Sequence, residues 1–197
     1  MKDGLVEDFY DNGKLRKRYN LNKEGKKHGL EEVFFKKGQL RSSRNYKDDK
    51  LGGLWKQFYT NGQLRFSRNY KNGKRDGLWE NYNKNGQLET ISNWKDGKED
   101  GFFEGYYDNG QLFFRVNYKD GKLDGIGENY NKNGQLWSKE NWKDGKQHGP
   151  WEGYHDNGQL MMKENYKDEK EDGLWEYYDE GGNLTKTEEW KDGKLIK

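Results

Sequence analysis

Large apolar side chains recur along this chain at a fixed spacing, with charged and polar residues filling the intervals. The count starts from Gly4, Gly29, Gly53, Gly77, Gly101, Gly125, Gly149 and Gly173, which stand 25 and then 24 residues apart. Position 6 of every unit is then aromatic, from Phe9 to Tyr178, and position 12 is leucine, from Leu15 to Leu184. Position 18 is Tyr or Trp in all but the first unit, which has Leu21. A strict period of this length marks a repeat architecture in which each unit is one small supersecondary element.

Two turn signals punctuate the repeat. Asn-Gly falls at positions 9–10, as in Asn61-Gly62, Asn85-Gly86 and Asn109-Gly110. Asp-Gly falls at positions 20–21, as in Asp96-Gly97, Asp120-Gly121 and Asp144-Gly145. Both dipeptides tolerate positive φ at two successive residues, so a two-residue type I′ hairpin turn is predicted at each. The stretches between them are rich in Trp, Tyr, Phe and Leu, which suits strands. The pattern predicts an all-β fold: an elongated, twisted antiparallel meander of eight tandem β-hairpin repeats, each of about 24 residues, with two strands to a repeat. One repeat array over residues 1–197 is expected. The unit from Gly77 resembles that from Gly125, and the unit from Gly101 resembles that from Gly149, so a 48-residue alternation overlies the shorter one. Four strands in 48 residues is also the size of a propeller blade, which leaves a four-bladed propeller as the alternative to the open array.

A two-residue turn at positions 9–10 sets a register in which position 4 faces position 15. Opposite charges then meet at Glu7 and Arg18, Glu104 and Arg115, Glu128 and Lys139, and Glu152 and Lys163. Pairs of that kind contribute ~0.2–1 kcal/mol each. The same register puts position 3, the leucine of position 12 and position 18 on one face, with the repeat glycine opposite the position-18 aromatic, which is expected to cover it. Positions 2, 4, 6 and 17 fall on the other. The first face carries Trp55, Trp79, Phe103, Trp151 and Trp175 at position 3, and Tyr70, Trp94, Tyr118 and Trp142 at position 18. Its run is broken at Gly127, where no side chain stands.

Composition alone would suggest disorder, with 37% charged and 29% hydrophobic residues. A 16% aromatic share and a net charge of only +2 oppose that reading, and thin cores in an extended array fit the shortage of apolar residues. Thirty-seven basic against 35 acidic residues leaves no basic excess for nucleic acid. With no cysteine there is no thiolate metal site or disulfide framework. No apolar run reaches membrane-spanning length and no signal-peptide core is visible, so a soluble chain is expected, cytoplasmic or exported if a leader was removed. The three histidines, His28, His148 and His155, do not cluster, the Asp-Gly turns lack a calcium-loop pattern, and the Glu row repeats too often for a tuned catalytic pair. No catalytic residue, metal ligand or cofactor is expected.

The unit G-L-W-E-x-Y-x-x-N-G-Q-L, closed by Y/W-K-D-G-K, resembles the MORN repeat, specifically the bacterial variant with N-G-x-L inside the repeat. The likeness covers residues 4–197, and departs from the pattern at Val6, Glu31 and Gly127, which replace the position-3 aromatic. It implies stacked hairpins, and a scaffold for protein or lipid contact, some relatives being labelled antitoxin components; no separate effector domain is visible. A protein partner is the leading expectation, with Trp55, Trp79, Phe103, Tyr70, Trp94, Tyr118, Trp142, Trp151 and Trp175 as the candidate binding face. Glycan, cell-wall or phospholipid contact is the alternative. Weak self-association is expected through the terminal edge strands, near Leu5–Phe9 and Thr185–Trp190.

Overall fold

The computed structural model describes residues 4–197. It divides into two compact bodies, Met1–Lys98 and Glu99–Lys197. The N-terminal body contains β1 (Gly4–Phe9), β2 (Leu15–Leu21), β3 (Lys27–Phe34), β4 (Leu40–Lys47), β5 (Lys50–Phe58), β6 (Leu64–Lys71), β7 (Lys74–Tyr82) and β8 (Leu88–Lys95). Each pairs antiparallel with the next. A propeller would break this series after four strands, yet β4 and β5 are hydrogen-bonded neighbours. The meander is therefore continuous through the body.

The C-terminal body takes up β9 (Lys98–Tyr106) and continues in the same manner. Its strands are β10 (Leu112–Lys119), β11 (Lys122–Leu123), β12 (Gly125–Tyr130), β13 (Leu136–Lys143), β14 (Lys146–Gln147) and β15 (Gly149–Tyr154). They are followed by β16 (Leu160–Lys167), β17 (Lys170–Glu171), β18 (Gly173–Tyr178), β19 (Leu184–Lys191) and β20 (Lys194–Leu195). The short strands exceed the expected two per repeat because the chain bulges just before the repeat glycine. There β11 and β12, β14 and β15, and β17 and β18 are pieces of one strand run.

The two turns of each repeat differ, which corrects the expectation of two identical ones. At Asp-Gly both residues have positive φ, 49° at Asp96 and 95° at Gly97, as a type I′ turn requires. At Asn-Gly only the glycine does. Gly86 N–H donates to Asn83 O at 3.0 Å and Asn83 N–H donates to Gln87 O at 2.9 Å, so three residues form the loop. This is a type I turn followed by a left-handed glycine. The first repeat, one residue longer than the others, uses the same three-residue form at its second turn, where Gly25 N–H donates to Asn22 O.

The longer loop should have slipped the register by one residue, and does so only locally. Tyr82 pairs with Leu88, but Asn81 pairs with Thr90, leaving Glu89 as a bulge. The extra residue in the turn and the extra residue in the bulge cancel. The register further out is consequently the expected one: Glu7 faces Arg18, Glu104 faces Arg115, Glu128 faces Lys139 and Glu152 faces Lys163. Position 12 is the casualty. It now pairs with position 6 and so lies on the face of positions 2 and 4, opposite the tryptophans, because cross-strand partners share a face.

We call the face of positions 1, 3, 5, 14, 16 and 18 the indole face, and the other the leucine face. The core is a single layer on the indole face, where Phe66, Trp79 and Trp175 are the buried hydrophobic side chains among the described residues.

Candidate functional site

The indole face is built by stacking from repeat to repeat. Tyr70 lies 5.5 Å from Trp79, and Trp79 lies 5.2 Å from Trp94, ring centroid to centroid. Trp55 contacts Phe66 edge-on at 5.1 Å. In the C-terminal body Phe103 meets Phe114 edge-on and lies 6.4 Å from Tyr118, while Trp175 sits between Tyr166 at 5.7 Å and Trp190 at 5.0 Å. Arginines complete the stack in the N-terminal body. The guanidinium of Arg44 is 4.5 Å from the Trp55 ring, and that of Arg68 is 4.6 Å from Trp79. Arg75 lies 4.4 Å from Trp79 and 4.2 Å from Trp94.

The nine aromatic side chains proposed from sequence as a binding face are thus brought onto one face, but none is free. Trp79 and Trp175 are buried at 8% exposure, and Trp55, Phe103, Tyr70, Trp94, Tyr118, Trp142 and Trp151 are half-buried. The Trp79 indole N–H donates to Asn69 O at 3.1 Å, and that of Trp175 donates to Asn165 O at 3.3 Å. Trp151 covers Gly153, whose missing Cβ would fall 2.6 Å from the indole. The apparent gap at Gly127 is filled too: a Cβ there would meet Glu140 Cγ at 3.0 Å and Trp142 Nε1 at 3.4 Å.

Asparagine at position 17, not an aromatic, lies over the repeat glycine. A Cβ on Gly77, whose φ is 97°, would stand 3.2 Å from Asn69 Cβ. The asparagine side chain then spans the bulge: Asn117, Asn141 and Asn165 donate to the carbonyls of Ile126, Pro150 and Leu174. Keeping strands paired across a bulge needs some such substitute for the lost ladder bonds, since buried backbone groups left unpaired are costly.

The 48-residue alternation has its cause in position 7. In alternate repeats Tyr10, Tyr59, Tyr107 and His155 reach forward to the position-6 carbonyls of Phe34, Tyr82, Tyr130 and Tyr178. In the intervening repeats Asn83, Asn131 and Asp179 fold back on their own turn instead, Asn83 Oδ1 accepting from Asn85 and Gln87 N–H. At the other edge, Asp76, Asp100, Asp124 and Asp172 accept the N–H of the position-20 aspartate one repeat on. His28 and His148 take the place of Asp76, Asp100, Asp124 and Asp172 just before the repeat glycine, and contact the carboxylates of the position-20 residues Asp48 and Asp168, at 3.2 and 3.3 Å. Sequence reasoning missed these links; their signal was the recurrence of short polar residues at single positions beside the turns.

Charge is handled differently on the two faces. On the leucine face Glu104 takes Arg115 at 2.7 Å, whereas Arg18 turns to Glu32 of the following hairpin at 2.5 Å. Glu128 and Glu152 accept the hydroxyls of Tyr130 and Tyr154, and burial together with the Glu152 charge pushes the Tyr154 phenol up to about 12. On the indole face Glu31 replaces the position-3 aromatic and is buried at 1% exposure, with Lys27 Nζ at 2.7 Å and Lys17 Nζ at 3.0 Å. Burial alone would raise its carboxyl, but the two lysine hydrogen bonds outweigh it and hold it below the ordinary carboxylate range.

Among the described residues no group of three or more His, Cys, Asp and Glu side chains lies where it could hold a metal ion. No helix is long and apolar enough to cross a membrane. The surface feature that stands out is instead position 2 on the leucine face. Leu5 is 60% exposed, Leu30, Leu54 and Leu78 about 40%, and Ile126 and Leu174 are similarly open. A groove of about 250 Å³ lies between the first two, lined by Leu5, Arg18, Asn20, Leu30 and Glu32.

A family model described as the MORN repeat variant matches residues 2–23, 27–48, 51–72, 75–96, 99–120, 123–144, 147–168 and 171–192. The chain belongs to the MORN repeat family. Each match begins two residues before the repeat glycine, and all but the first end on the leading residue of the type I′ turn, so eight MORN repeats account for the hairpins. No curated protein matches. Among solved structures, a chain of the crystal structure of TcdB2-TccC3-Cdc42 matches 94% of this chain at 12% identity, with a TM-score of 0.21. This chain covers 14% of that one, and so loose a superposition carries no argument about function.

Proposed function

We propose that this MORN array is a non-catalytic scaffold that binds a protein partner through its leucine face. The observation that carries the reading is the row of open apolar side chains at position 2, one in nearly every repeat. Within a body, members in successive repeats are two strand spacings, roughly 10 Å, apart. They are not part of the buried aromatic layer, which lies on the opposite face. Large apolar groups left open at regular spacing beside charged pairs make a hot-spot row for a partner's apolar side chains. Glu7, Lys56, Glu80 and the Arg18–Glu32 pair flank the row in the N-terminal body and give it a rim of mixed charge.

The alternatives fit less well. A sugar-binding array needs open rings, and here the stacked rings are covered by one another and by arginine. The rim of mixed charge beside the leucines gives no polybasic patch to hold an anionic lipid surface. The antitoxin-like reading that the N-G-Q-L motif brings is a narrower form of the same proposal, with one cognate protein held in fixed stoichiometry.

The test replaces Leu54 and Leu78 together by serine and compares the variant with the parent chain for retention of source-cell proteins, anionic vesicles and cell-wall polysaccharide. The expected result is selective loss of one protein, whose complex then has a fixed stoichiometry by native mass. Retention of vesicles or polysaccharide but of no protein, or protein retention unchanged in the variant, would overturn the reading.

A further inference from the structure

The indole face carries opposite charge in the two bodies. Its rings at positions 3 and 18 are flanked by positions 16 and 23, which the register places beside them. In the N-terminal body these flanks include Arg44, Arg68 and Arg75 and no carboxylate. In the C-terminal body they include Glu140, Glu164, Glu171 and Glu188 and no cation. The repeat itself does not demand charge there, since Ser92 and Val116 occupy position 16 in two other repeats.

Arg44 reaches Glu31 at 3.5 Å and Glu188 takes Lys186 at 2.6 Å, but other charges of the two faces are poorly compensated where they stand. Among the described residues Arg68 and Arg75 have no carboxylate within ion-pair distance, and Nε of Arg68 and of Arg44 is buried without a hydrogen-bond partner. Burial, with Arg75 and Arg65 nearby, pulls the Arg68 guanidinium down. Glu164 receives the Tyr166 hydroxyl at 2.7 Å, but burial and the charges of Glu171 and Glu188 still push its carboxyl up. Apart from Asp8 and Glu31 in the N-terminal body and Lys186 in the C-terminal body, each indole face thus gathers like charges on an aromatic floor, and the two excesses are opposite in sign.

We propose that the Arg-indole face of the N-terminal body in one copy of the chain docks on the Glu-indole face of the C-terminal body in a second copy. A two-fold arrangement makes this contact twice, because the same patch pair recurs with the copies exchanged. Eight strands at ~4.8 Å and about six residues at ~3.4 Å give each face roughly 800 Å², the area that one side of a standard interface buries. Arginine stacked on tryptophan is a strong interface combination, and carboxylates brought against it would pair with the exposed guanidinium of Arg75. The proposal uses the face opposite the leucine row and stands independently of the reading above.

The experiment measures sedimentation of the full chain against concentration, at about 20 mM and about 0.5 M salt. A dimer at low salt that dissociates at high salt is expected. Two charge-reversed chains follow: R68E with R75E, which offsets the positive excess of the arginine face, and E164K with E171K, which offsets the negative excess of the glutamate face. Each alone is expected to self-associate at least ~100-fold more weakly, and the two mixed are expected to form a one-to-one pair. R75E alone, at an exposed position, repeats the first arm while leaving the half-buried Arg68 in place. Far-UV circular dichroism confirms that each chain is folded before it is compared. A parent chain that stays monomeric to ~100 μM at low salt, or folded reversed chains that fail to pair, would overturn the proposal. Loss of partner binding in the leucine variant with self-association intact would leave it standing.

Discussion

Replacing Trp79 by alanine is expected to destabilise the fold far more than replacing its sequence neighbour Leu78. The two residues sit on opposite faces of β7, Trp79 at 8% exposure and Leu78 at 40%. A tryptophan so placed buries about 200 Å², which at ~25 cal/mol per Å² corresponds to ~5 kcal/mol. Compaction of the unfolded chain removes some ~10–40% of that. The indole hydrogen bond to Asn69 O adds about 1 kcal/mol. Alanine at 79 should therefore cost ~3–5 kcal/mol, in the range found for large-to-small core changes. Trp79→Phe, which keeps a ring against Tyr70 and Trp94 but loses the N–H donor, should cost ~1–2 kcal/mol. Leu78→Ala should cost ~1 kcal/mol or less, since much of its side chain is already in water. Urea denaturation followed by far-UV circular dichroism avoids the loss of the fluorescent reporter itself. Costs for Trp79→Ala and Leu78→Ala within about 0.5 kcal/mol of each other would refute the assignment of the core to the indole face.

Gly77→Ala forces a Cβ at φ 97° to within 3.2 Å of Asn69 and should cost ~1–3 kcal/mol, while Gly52→Ala, with open space around it, should be neutral or stabilising by ~0.4–1 kcal/mol; chemical denaturation of both chains checks the contrast. Glu31→Gln leaves Lys17 and Lys27 without their shared carboxylate; a loss at the low end of ~3–5 kcal/mol is expected, because both ammoniums keep part of their surface in water. As the Glu31 carboxyl is depressed in the fold, its contribution is complete above the ordinary carboxylate pKa and disappears as pH falls through the folded value, so acid unfolding midpoints of parent and Glu31→Gln chains should converge at low pH. The Tyr154 phenol, raised to about 12, contributes stability that is complete below the ordinary tyrosine value and is lost as pH rises through about 12; ultraviolet titration of the parent and Tyr154→Phe chains should differ by one group ionising there rather than near 10.

Much of the fold was legible before any coordinates. Period, hairpin order, turn positions and the cross-strand placement of the four Glu–cation pairs follow from local chemistry, because Asn-Gly and Asp-Gly restrict the backbone where they stand and side-chain alternation carries the register outward. The turn type at Asn-Gly was not legible. Gly86 alone accepts positive φ there, the loop gains a residue, and the bulge at Glu89 returns it. Two errors of one residue cancel in the register yet move Leu88 to the other face, and no count along the chain distinguishes those cases. The candidate site divides in the same way. The repeat pattern brought nine aromatic residues to one face, and that placement holds. Whether a ring on that face is open or packed depends on what lies across the strand and one repeat away, such as Arg68 and Arg75 over Trp79, or Glu140 and Trp142 in the space left by Gly127. The leucines at position 2 were equally visible in the sequence, but their exposure is set by what stands on the adjoining strands. Local backbone preference thus determined the order of the strands, while packing between repeats decided which face is core and which is open, since burial is a property of side chains that meet only once the sheet has formed.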